Sequence, residues 1–114
     1  MDESRKQALR DAGVNVEEGL ERFMNNEALW ERFLSRFPAD PNPAALSAAL
    51  DKGDWAAALA AAHSLKGVCG NLSFTQLHQL LTRQVEALRA GDTDGALALR
   101  GPIEEGCARI TQLL

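Results

Sequence analysis

The stretch His63-Ser64-Leu65-Lys66-Gly67-Val68-Cys69-Gly70 sets an imidazole, an ammonium and two glycines at helical spacing. At about 100° per residue, Lys66, Gly67 and Gly70 fall within roughly a sixth of a turn of His63. Imidazole is the side chain best suited to act as a neutral nucleophile near pH 7. A cation one turn away can neutralise an anion delivered to it. Each mid-helix glycine costs about 1 kcal/mol relative to alanine, so two of them beside a reactive ring point to something large approaching the backbone. The opposite side of the same helix carries Ala58, Ala61, Ala62, Leu65, Val68, Cys69 and Leu72, a core stripe that turns His63 toward solvent.

The elements that must hold this helix are legible from their ends. Residues 2–12 predict a short polar helix stopped by Gly13. Asn15 and Glu18 read as a capping box for a second short helix carrying Leu20, Phe23 and Met24. Asn26 caps a third, predicted to reach Phe37 and to be stopped by Pro38, with Leu29, Trp30, Phe33, Leu34 and Phe37 on one stripe. After the proline-rich segment 38–43, Asn42 and Pro43 read as cap and first turn of a helix to Lys52, closed by Gly53. Asp54 opens the histidine helix over 55–71. Ser73 with Gln76 reads as a capping box for a helix over 74–90, whose buried side is Leu77, Leu80, Leu81, Val85 and Leu88. Gly91 stops it, Asp92 opens the last helix, and Gly101-Pro102 must kink or split that helix.

This pattern, with no alternating strand signal, predicts an all-α chain: an antiparallel four-helix bundle with short additional N-terminal helices. One domain over 1–114 is expected, with the short helices in 1–25 and the bundle in 26–114. The 114 residues suffice for a single core. Aromatics are only 5% of the chain while 46% is hydrophobic, which favours helices packed through alanine and leucine over a β-sandwich. A net charge of −4, with no stripe of Lys and Arg, argues against a nucleic-acid surface. No apolar run approaches a membrane span and the N-terminus lacks a signal-peptide pattern, so a cytoplasmic location is expected. Cys69 and Cys107 sit at apolar helical positions and read as buried thiols.

The segment Ala62-His63-Ser64-Leu65-Lys66-Gly67, followed by Gly70 and Leu72 and preceded by Gly53-Asp54-Trp55, resembles the histidine-containing phosphotransfer (HPt) domain family. Gly13 to Phe23, Asn26-Glu27, Leu29-Trp30 and Phe33 are similar to the region upstream of that motif. The resemblance implies that His63 accepts a phosphoryl group from the phospho-aspartate of one receiver domain and passes it to the aspartate of another. It implies a phosphoryl carrier without kinase activity or ATP binding, consistent with the lack of any phosphate-cradling glycine loop. Under it, Lys66 stabilises the phosphate, and Gly67 and Gly70 clear space for the receiver. Leu59, Ala56, Ala60 and Phe74 are expected to form an apolar docking patch around the ring. No cofactor is expected on this chain, because the partner receiver, in a response regulator or a hybrid kinase, supplies the Mg²⁺.

Two departures from the family pattern stand out. Ser73-Phe74 replaces a common glycine-alanine pair, which sets a bulky ring near the docking face. Gln84-Val85 stands where many members have leucine-glutamate, and Gln84 is a candidate to orient the imidazole by hydrogen bond. His78, among Gln76, Gln79 and Thr82, reads as a solvated side chain. Metal or haem ligation is disfavoured because Cys69 lies on the core side of the helix that points His63 outward. The remaining alternative is a helical interaction module that binds a receiver or kinase without carrying phosphate. Acid-labile, base-stable phosphate separates the two. With no second apolar stripe left over, a monomer is expected, and Met1 together with an orderly last helix favours a free-standing shuttle.

Overall fold

The computed structural model describes all 114 residues and contains eight α-helices, one 3-10 turn and no strand. Three short helices come first, α1 (Glu3–Asp11), α2 (Val16–Arg22) and α3 (Glu27–Leu34). Four longer ones then close a ring: α4 (Asn42–Lys52) packs on α5 (Trp55–Asn71), α5 on α6 (Thr75–Arg89), α6 on α8 (Arg100–Gln112), and α8 back on α4. The short α7 (Thr93–Ala98) leans on α6 and α8. This is the expected helical bundle.

Most helix starts follow the expected chemistry. Asp2, Asn15, Asn26, Asp54 and Asp92 each accept the backbone N–H three residues on, a cap worth about 1 kcal/mol. Gly53 and Gly91 take left-handed φ values of 65° and 72°, which lets α4 and α6 stop in single tight turns.

Four local expectations are corrected. The third helix ends at Leu34 rather than Phe37, because Pro38 disfavours helical backbone before it, and Phe37–Ala39 forms a 3-10 turn instead. Asn42 is not a side-chain cap; the Asp40 carboxylate accepts its N–H at 2.8 Å. Ser73 does not cap α6. It adopts a left-handed φ of 62°, and its hydroxyl donates to Glu18 Oε1 at 3.0 Å. Glu18 therefore does not reach back to the Asn15 N–H, which donates to Ser73 O at 2.8 Å. Of the two outcomes open at the last helix, kink or split, the structure has the split, with Leu99 as the joint between α7 and α8 just before Gly101-Pro102.

One core of 26 buried apolar residues runs from Leu9 to Ile110. The N-terminal helices join it at the α5–α6 turn, where Gln76 N donates to Gly13 O and Phe37 packs edge-on against Phe74 at 5.0 Å. Trp30 is fully buried and lies so close to Gly19 that no side chain fits at position 19. No helix is long and apolar enough to cross a membrane.

Candidate functional site

The histidine helix α5 is a rod of alanines and glycines whose apolar stripe meets the bundle. Ala58, Ala61, Ala62, Leu65, Cys69 and Leu72 are buried, and Val68 is half-buried. His63, at the opposite pole, is exposed. Around Gly67 there is open space: a Cβ built there meets nothing within 4 Å. Lys66 is half-buried, and no carboxylate lies within ion-pair distance of it. All ten ion pairs involve α1–α4 and α8.

Exposure is not symmetric about His63. At 100° per residue, Ala56, Gly67, Ala60 and Asn71 step round one side of the ring in roughly 20° increments. All four are exposed. Gly70, Leu59, Lys66 and Trp55 step round the other side in the same increments. All four are half-buried. The imidazole thus stands at the edge of the open strip rather than at its centre.

Gly70 differs from Gly67. A Cβ there would meet His78 Cδ2 at 3.1 Å and Nε2 at 3.4 Å, so the chain's own α6 takes the space expected for a partner. His78 is correspondingly half-buried rather than fully solvated. This contact joins two helices, and no spacing within one helix signals it.

Two expected site residues lie elsewhere. Phe74 is fully buried against Phe37, because the left-handed turn at Ser73 breaks the α5 register that placed it on the His63 face. Gln84 is also fully buried, whereas His63 is exposed. Its amide donates to Ala96 O at 3.1 Å, tying α6 to α7 near the break at Leu99. The signal was present in its spacing, since Gln84 falls in series with Leu77, Leu81 and Leu88 on the buried stripe.

The cysteines sit on the core side of α5 and α8. Burial pushes the Cys107 thiol up to about 11 and the Cys69 thiol further in the same direction. No three His, Cys, Asp or Glu side chains come together in a group that could hold a metal ion.

An exposed histidine in mid-helix, beside an open glycine and an unpaired lysine, is a surface on which a large partner can reach a nitrogen nucleophile. The family model described as Hpt domain matches residues 28–114, which takes in His63 and the whole bundle. The chain belongs to the Hpt domain family. Comparison with curated proteins and with solved structures gave no match. Hpt domains are phosphocarriers of two-component phosphorelays and interact with receiver domains. In this Hpt domain the match begins at Ala28, so α1 and α2 lie outside it although their side chains contribute to the common core.

Proposed function

We propose that His63 is the phosphoacceptor of this Hpt domain, taking a phosphoryl group from a receiver phospho-aspartate and passing it to a second receiver aspartate. An unprotonated ring nitrogen attacks phosphorus in line. The N–P bond forms as the P–O bond to the aspartyl carboxylate breaks, and the carboxylate leaves as the anion. The return step reverses these bonds on another receiver. Phosphoryl transfer of this kind needs positioning and charge stabilisation more than covalent chemistry from the protein. Lys66 supplies a cation one turn from the ring, and the receiver supplies Mg²⁺. The chain itself is a carrier without kinase activity or cofactor, cytoplasmic and monomeric, with residues 1–114 acting as one domain.

The observation that carries this reading is the open space over Gly67 beside an exposed His63. Leu59, Ala56 and Ala60 are the further residues of α5 assigned to receiver contact. The test is incubation with a phosphorylated receiver, followed by acid and base treatment. Acid-labile, base-stable phosphate that disappears in His63→Gln supports the relay. Tight receiver binding with no such phosphate would instead identify a module that only docks.

A further inference from the structure

Resting on that reading, we infer that the receiver's footprint is one-sided: it runs from His63, with Leu59 and Lys66 at its margin, over Ala56, Gly67 and Ala60 to an aromatic hollow rimmed by Arg36, and leaves Gly70 and His78 uncovered. The hollow has a volume of about 420 Å³ and is walled by Phe23, Phe33, Phe37, Val68 and Leu72, with the Asp40 carboxylate also in its lining. Asn71 forms part of its edge, so it continues the exposed strip of α5. With a rise of about 1.5 Å per residue, Val68 and Asn71 lie roughly 8 and 12 Å along the helix from His63, within the span of one docked domain.

Three observations favour this direction. On the other side of the ring, His78 already fills the volume above Gly70, so a partner gains no approach to the backbone there. Phe33 is 37% exposed, so part of its ring faces solvent at the mouth of the hollow while Phe23 packs on it at 5.3 Å. The guanidinium of Arg36 stacks on that ring at 4.6 Å and, like Lys66, pairs with no carboxylate. A chain of net charge −4 repels an anionic partner. Arg36 at the hollow, offset there in part by Asp40, and Lys66 on the half-buried flank of His63 are cations without ion-pair partners that lessen this repulsion where an aspartyl phosphate approaches. A second apolar hollow, about 250 Å³ between α4 and α8, lacks this feature, because Arg100 at its edge is held by Asp51 at 2.7 Å and Glu104 at 2.9 Å.

The test uses the full chain and a phosphorylated receiver that labels His63, with transfer rate measured against receiver concentration. Arg36→Glu and Phe33→Ser are expected to raise the apparent KM roughly tenfold while the rate at saturation holds. Arg36 is exposed and unpaired, so Arg36→Glu remains informative if Phe33→Ser unfolds, which circular dichroism will show. His78→Ala is expected to change KM less than twofold. Unchanged KM in Arg36→Glu, or a larger effect from His78→Ala, overturns the one-sided footprint while leaving His63 as phosphoacceptor. Failure of every receiver to label His63 in the unaltered chain overturns both.

Discussion

The His78 ring rests on Gly70, with its Cδ2 3.1 Å from where a Cβ at position 70 would stand. One of the two glycines beside His63 is therefore occupied by the protein itself, and only Gly67 faces open space. Two residues of identical type, three apart on one helix face, have different reasons to be glycine.

Alanine substitution separates those reasons. Gly67→Ala meets no atom and should stabilise the fold by about 0.5 to 1 kcal/mol, the usual gain for filling an exposed helix position. If the open space serves a receiver, the same variant should accept phosphate more slowly. Urea denaturation and a transfer time course check the two effects separately. Stabilisation with undiminished transfer would show that nothing needs the space.

Gly70→Ala should gain less, because the new methyl pushes on the imidazole. In a His78→Ala background the gain should return, giving a coupling of about 0.5 to 1 kcal/mol in the double-mutant cycle. Additive effects by urea denaturation would mean the ring moves aside freely.

Ser73 is a second place where backbone and side chain compete. Its φ of 62° suits glycine, whereas its hydroxyl is held by Glu18. Ser73→Ala loses the hydrogen bond and keeps the strained backbone, so it should destabilise by about 1 kcal/mol. Ser73→Gly should be more stable than Ser73→Ala by roughly the same amount, since glycine adopts positive φ freely. Thermal unfolding of the pair decides the order.

This residue also marks the limit of what spacing reveals. Helix ends set by Asp54, Gly53 and Gly91 were legible because a cap or a left-handed glycine is a local device. The outward face of α5 was legible because its stripe repeats every 3.6 residues. Phe74 was misplaced because one left-handed residue resets the helical register, and Ser73 gives no warning as a glycine would. Gln84 is a candidate only through its place opposite the leucine-glutamate pair of the family pattern, whereas its spacing belongs to the core. The packing of His78 on Gly70 and the hollow beside Val68 arise between elements far apart in the chain, and periodicity within one element carries no information about them.

The buried thiols give a pH signature. Burial pushes the Cys107 thiol up from the ordinary 9.0 to about 11, and deeper burial raises Cys69 further. A thiol whose folded pKa is raised contributes stability that is complete below the unfolded value. That stability is lost as pH climbs through the folded one. Unfolding free energy should therefore fall between about pH 9 and 11, by on the order of 2 kcal/mol from Cys107. At pH 8 both thiols should resist alkylation in the native protein and react at once in denaturant. Mass spectrometry after iodoacetamide treatment reads this directly, and rapid native labelling would contradict the burial.

Lys66 and His63 provide the sharpest chemical prediction. Lys66 has no ion-pair partner, so its ammonium is free to follow an anion placed on the neighbouring ring. In Lys66→Ala that charge-assisted contact is gone, and transfer from the receiver should slow by about tenfold, the equivalent of roughly 1.4 kcal/mol of transition-state stabilisation. Phospho-His63 should also hydrolyse faster, because the same contact stabilises the phosphorylated state. Helix content should not change, since residue 66 contributes no bridge to the fold. His63→Gln should keep the fold and lose all acid-labile phosphate. A Lys66→Arg variant restores the charge on a different geometry, so partial rescue of both transfer and lifetime is expected. If Lys66→Ala transfers at the unaltered rate and its phosphate lasts as long, the cation next to the ring has no part in the chemistry.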